Sequence, residues 1–203
     1  MQLWLVRHGQ SGGNAESDPG PDPRLTELGE RQAALAAERL SARKFAALHC
    51  SPLRRALQTA DIIARRLGLA PAVWVELHEK GAEPGLTRSQ IQRAFPSAAL
   101  PGYMPEEQWW KAAGETEEEA YLRAEQLRKR ICDTYRDQDV SLLLVTHGTF
   151  GSIMISHFLD CPPCGFTRFS QHNCAISRLD LVEGHWRLRF LNATDHLPAE
   201  AIT

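Results

Sequence analysis

The chain has 203 residues, 43% hydrophobic and 24% charged, with a formal net charge of −2 at neutral pH. That length carries one domain with a substantial core and room for a small insertion. The near balance of charge argues against a nucleic-acid or membrane surface as the main partner. No apolar run approaches the ~20 residues of a transmembrane helix, and Arg7 and His8 interrupt the N-terminal apolar stretch too early for a secretory signal. Five scattered cysteines fit reduced thiols and predict a cytoplasmic protein.

In chain order, Leu3-Trp4-Leu5-Val6 is a short apolar run that ends in Arg7-His8-Gly9 and opens into Ser11, Gly12, Gly13 and Asn14. This is the pattern of a buried strand followed by a Gly-rich loop. Arg7 offers a planar fork of donors and Asn14 an amide, while the glycines let backbone N–H groups approach a ligand closely. The composition is that of an anion pocket with a histidine at its floor. Pro19, Pro21 and Pro23 make a rigid, non-helical segment. Thr26 then reads as the N-cap of a helix whose apolar face (Leu28, Leu35, Leu40) runs to Ser41.

Residues 45–50 read as the second strand. Ser51-Pro52 predicts an N-cap followed by the first residue of a helix over 53–67, which Gly68 ends. Arg54 and Arg55 fall in its first turn, where cations are unfavourable beside the positive end of the dipole. Either an anion offsets that cost or one arginine reaches into solvent; the spacing lets one of the two face the strand ends. Residues 73–75 read as the third strand.

From 81 to 114 the composition shifts to Pro, Gly and aromatic residues, as expected of an inserted lid with helical turns at 87–95 and 106–112. The Trp109-Trp110 pair is read as packing within it. Thr116 and Glu119 form a capping box ahead of a helix to about Tyr135. Residues 141–146 repeat the opening phrase, an apolar strand ending in His147-Gly148, with a helix at 149–159. Cys161-Pro-Pro-Cys164 has redox spacing, but it follows a helix end and has no second CxxC beside it. Two final strands, around 174–179 and 186–191, turn at Glu183-Gly184.

The order predicts a three-layer α/β/α sandwich, with a mostly parallel central sheet, an antiparallel edge and the inserted lid. Ligands in such sheets bind outside the carboxyl ends of the strands. Two strands that each end in His-Gly therefore present two imidazoles to one crevice.

Several stretches together resemble the histidine phosphatase (phosphoglycerate-mutase-like) superfamily. They are residues 5–11 with Asn14, Leu25-Thr26-Glu27-Leu28-Gly29, residues 51–59, Val145-Thr146-His147-Gly148 and Asn173-Cys174-Ala175-Ile176. The resemblance implies that His8 is the nucleophile that takes the phosphoryl group. Arg7, Arg55 and His147 would surround its oxygens, and Ser11, Asn14 and Gly148 would complete the phosphate site. Glu79 would be the general acid and base. Relatives commonly place three residues between this acid and a glycine, whereas Gly81 follows Glu79 after Lys80 alone, so Glu76 and Glu83 stand as rivals.

Phosphoryl transfer asks the protein mainly for positioning and for stabilisation of charge on the equatorial oxygens. Arginine and imidazole donors supply that, so no metal and no cofactor is expected, and His147 is expected to serve as the imidazolium. The activity implied is a metal-independent phosphatase of small phosphomonoesters. Alternatives are a cofactor-dependent phosphoglycerate mutase and a member that binds phosphorylated ligands or proteins with weak turnover. A small phosphorylated substrate is the expected partner, and residues 157–169 are read as a surface for a homodimer.

Overall fold

The computed structural model describes the chain except residues 18–19, 82–83, 112, 136–137 and 164–167. The rival acid Glu83, the second cysteine of the CxxC and part of the 157–169 surface lie outside the described residues.

The six strands are β1 (Gln2–Arg7), β2 (Ala47–Cys50), β3 (Pro71–Val73), β4 (Ser141–Thr146), β5 (Ile176–Val182) and β6 (His185–Ala193). They form one sheet in the order β3-β2-β4-β1-β5-β6. β3, β2, β4 and β1 run parallel, and β5 and β6 add an antiparallel hairpin at the edge. Strands β1 and β4 are central and buried on both faces, which is why they read as continuous apolar runs. Helices α1 (Glu27–Leu40) and α2 (Arg54–Leu67) pack on one face. Helices α4 (Glu117–Tyr135) and α5 (Gly148–Phe158) pack on the other. The short α3 (Arg88–Ala94) belongs to the segment between β3 and α4 and packs against the α1/α2 core through Ile91. The result is the three-layer α/β architecture expected.

Local signals set most of the ends. The Thr26 side chain accepts from Gly29 N, and Thr87 with Gln90 makes a full capping box on α3. Thr116 and Glu119 exchange the reciprocal pair ahead of α4. Gly68 takes the left-handed conformation that ends α2 (φ 67°). Gly9 and Gly29 lie back to back. A Cβ on either would overlap backbone of the other segment, so the exit of β1 can seat against the start of α1 only with glycine at both places.

Three expectations are corrected. Ser51 is not an N-cap and Pro52 is not helical, because α2 begins at Arg54. The Ser51 hydroxyl accepts from Leu53 N (3.2 Å) and bonds His147 instead, and a carboxylate from elsewhere, Asp22, accepts from Arg54 N (2.9 Å). The third strand sits two residues earlier than expected, and Val75–Leu77 is a 3-10 turn. Pro71 is tolerated there because β3 is the edge strand, and Ala99 from the following segment covers that edge, with Val73 N donating to Ala99 O (2.8 Å). The described part of 106–112 forms no helix; Trp109 is instead buried, its indole donating to Leu86 O (2.9 Å).

Candidate active site

The carboxyl ends of β1 and β4 meet in register, Arg7 opposite Thr146. The next residue on each strand is a histidine, and the rings of His8 and His147 lie 5.0 Å apart, both buried. His8 Nδ1 is 2.7 Å from Gly9 O, and Arg55 Nε donates to His8 Nε2 at 3.2 Å. The two bonds require the proton on Nδ1 and a lone pair on Nε2. Burial, then Arg55 and Arg7, push the His8 pKa well below its ordinary value, so the ring is the neutral form a nucleophile needs.

His147 behaves alike, and here the expected imidazolium is corrected. Burial, followed by Arg55 and His8, holds its pKa well below the ordinary value. Its Nε2 lies 2.7 Å from Ser51 Oγ, and its buried Nδ1 has no partner among the described residues. Since Ser51 Oγ already accepts from Leu53 N, its hydroxyl proton is free to go to Nε2. That leaves the His147 proton on Nδ1, where it serves as a neutral donor.

Two guanidinium groups complete the cationic wall. Arg7 Nη1 is fixed by Gln171 O (2.6 Å), and its Nε is buried with no partner among the described residues. Gly148 lies against this guanidinium, where an added Cβ would sit 3.4 Å from Nε. Arg55 faces His8, while its Nη1 is 3.8 Å from the buried Asp22. Asn14 is oriented through its oxygen, which accepts from Ser11 N (3.1 Å), Ser11 Oγ (3.1 Å) and Asn173 Nδ2 (3.2 Å). All three of these bonds go to the oxygen and leave the amide nitrogen out of them. Ser11, itself buried, spends its hydroxyl on Asn14, so it orients the Asn14 amide.

Glu79 sits at the N-terminus of α5 and accepts from Phe150 N (2.8 Å) and Thr149 N (3.2 Å). Its charge is felt by both Arg7 and Arg55. Arg123 holds the loop that carries it: Nη1 donates to Glu76 O (2.6 Å) and His78 O (2.9 Å), while Nε pairs with Glu115 (2.7 Å). The rival Glu76 is engaged elsewhere, by Arg130 (3.0 Å) and the Tyr103 hydroxyl (2.7 Å).

The structure therefore brings His8, Arg7, Arg55, His147, Asn14, Gly148 and Glu79 to one end of the sheet. Sequence reasoning missed Asp22, Ser51, Thr59, Arg123 and Gln171. Thr59 Oγ1 accepts from Gly9 N (3.1 Å) and so ties the His8 loop to α2. Ser51 and Thr59 stand inside a motif already singled out, which could have flagged them; Arg123 carries no local signal. No group of three or more His, Cys, Asp or Glu among the described residues is arranged to hold a metal ion.

The family model of the histidine phosphatase superfamily (branch 1) matches residues 3–194. The chain belongs to that superfamily. Among its relatives, the probable phosphoglycerate mutase GpmB of Yersinia enterocolitica is 32% identical over 197 residues, covering 92% of this chain and 87% of the relative. A mycobacterial glucosyl-3-phosphoglycerate phosphatase, solved with VO3, is 28% identical with a TM-score of 0.73, covering 95% of this chain and 99% of that one. A phosphoserine phosphatase mutant from Entamoeba histolytica shares the fold at 23% identity and a TM-score of 0.73, covering 97% of this chain and 99% of that one. No helix among the described residues of this histidine phosphatase superfamily member is long and apolar enough to cross a membrane.

Proposed function

We propose that the protein is a cytoplasmic phosphatase of small phosphomonoesters that works through a phosphohistidine on His8. The observation that carries this reading is the His8 ring itself, neutral, with an Nε2 lone pair facing Arg55 and the second histidine 5.0 Å away. His8 Nε2 attacks phosphorus, and the P–O bond to the leaving alcohol breaks as Glu79 delivers a proton to its oxygen. Glu79, now a carboxylate, takes a proton from a water whose oxygen attacks phosphorus. The P–N bond breaks and the electron pair returns to Nε2, releasing phosphate. Arg7, Arg55, the His147 Nδ1–H and the Asn14 amide hold the phosphoryl oxygens throughout, where each well-placed donor contributes about 3 kcal/mol. The cationic work is done by side chains, so hydrolysis should survive a chelator. The segment between β3 and α4 (residues 81–114) acts as the lid and decides which ester is taken. The glucosyl-3-phosphoglycerate phosphatase likeness supports a hydrolase.

The experiment is hydrolysis of a panel of phosphate esters with chelator present, comparing the parent with Glu79→Gln and Glu76→Gln. Glu79→Gln should slow turnover by about 10²–10⁴-fold, the usual contribution of a general acid. Glu76→Gln should leave turnover near the parent's, because Glu76 serves Arg130 and Tyr103. The reverse pattern would overturn the assignment of the acid. The likeness to a probable phosphoglycerate mutase favours a second reading, isomerisation. Mutase activity on adding a bisphosphoglycerate, without net hydrolysis, would select it.

A further inference from the structure

A second cavity lies apart from the histidine pocket. A groove of about 680 Å³ lies along the outer side of α2, and none of His8, Arg7, Arg55, Glu79 or His147 lines it. Small-molecule sites typically occupy ~300–1,000 Å³. Four guanidinium groups reach it from three parts of the chain: Arg24 ahead of α1, Arg54 and Arg65 from α2, and Arg93 from α3. Glu30 and Asp61 are the acidic members of its wall, and Asp61 is already paired with Arg65 at 2.6 Å. Among the described residues neither Arg24, Arg54 nor Arg93 has a carboxylate within ion-pair distance of its side chain.

Arg54 adds an independent observation. Its backbone N–H is satisfied by Asp22, but its side-chain Nε is shut off from solvent with no hydrogen-bond partner among the described residues. A shielded guanidinium donor left unpaired is costly and calls for an explanation. A shielded Nε does not fit an arginine that simply reaches into solvent. Ile62, Leu86 and Phe95 give the groove an apolar side. An excess of cations over one apolar wall matches an organic anion with at least two negative charges and a ring or hydrocarbon portion.

We propose that this groove is a second binding site, for a small organic polyanion, separate from the phosphoryl pocket. It lies one carboxylate away from the catalytic arginine. Asp22 accepts from Arg54 N and faces Arg55 Nη1 at 3.8 Å, so a ligand drawing on Arg54 acts on the group that also orients Arg55.

The test is an NMR titration with phenylphosphonate, a dianion that the enzyme cannot hydrolyse as an ester, with orthovanadate present to fill the phosphoryl pocket. The amides of Ile62, Arg93 and Ala94 report on the groove, and those of Gly9 and Gly148 report separately on the histidine pocket. Saturable shifts at the first set are expected. An Arg24→Ala/Arg93→Ala double variant should weaken them at least tenfold while leaving kcat/KM for ester hydrolysis unchanged. Silence at the groove amides, or shifts that persist undiminished in the double variant, would overturn the proposal. Failure of the phosphatase reading shows elsewhere, as absent hydrolysis and unresponsive Gly9 and Gly148 signals.

Discussion

Replacing Asp22 with asparagine keeps the shape and one acceptor oxygen but removes a buried charge. The Asp22 side chain is 7% exposed, and burial raises its pKa from 3.8 to about 6 despite the Arg54 N–H and the nearby Arg55 and Arg54 charges. A carboxyl whose pKa is higher in the folded than in the unfolded chain contributes stability that is fully present below the unfolded value. That contribution is lost as pH rises through the folded value. The window here runs from about pH 4 to about pH 6, and at about 1.36 kcal/mol per pH unit the loss is about 3 kcal/mol. The amide of the Asp22→Asn variant does not ionise, so its stability relative to the parent should rise by about that amount between pH 4 and pH 7.5. Urea unfolding at a series of pH values measures it. The same variant should lose turnover, because Arg55 no longer faces a carboxylate that holds its free end. A stability difference that is flat with pH, or that moves in favour of the parent as pH rises, would show that the buried charge carries no such cost.

Ser51→Ala should lower turnover at least tenfold with a smaller effect on folding. It removes the hydroxyl that sets the His147 tautomer and leaves Nε2 and Leu53 N buried without partners, at about 1–3 kcal/mol for an unsatisfied group. Nitrogen-detected NMR of the ring reads the tautomer directly, and an unchanged Nδ1–H signal would contradict this role. Gly29→Ala should be among the most damaging single changes, since its Cβ would overlap Gln10 backbone; Gly102→Ala, which meets nothing within 4 Å, should be near neutral. Thermal melts of the pair decide it, and equal melting temperatures would contradict the close packing of the β1 exit on α1.

What could be read from the sequence was local. The caps at Thr26 and Thr116, the αL stop at Gly68 and the two apolar strands ending in His-Gly are each decided by a few neighbouring residues, and each stands as expected. β3 was misplaced because its register depends on Ala99, which reaches the edge from a segment 26 residues further on than Val73. Ser51 followed the usual Ser-Pro preference, but its hydroxyl has a partner 96 residues away that a helix cap cannot match. Glu76 and Glu79 differ in their surroundings, Arg130 and Tyr103 around one and the α5 N-terminus beside the other, contacts that no spacing rule contains. The imidazolium expectation for His147 failed for an electrostatic reason: full burial beside Arg55 and a second histidine disfavours another cation. Asp22 carries no local signal in its proline-rich loop, although its carboxylate accepts from the Arg54 backbone N–H and faces Arg55 Nη1.

Whether His8 carries the phosphoryl group can be read from the protein during turnover. Rapid quenching in alkali while a chromogenic phosphate ester is being hydrolysed, followed by mass spectrometry of the peptide that spans Arg7 to Asn14, gives the answer. An acid-labile, alkali-stable phosphate on His8 is expected, accumulating in Glu79→Gln and absent from His8→Ala. Turnover by His8→Ala at the parent's rate, or phosphate found on another residue of the parent, would contradict the phosphohistidine route.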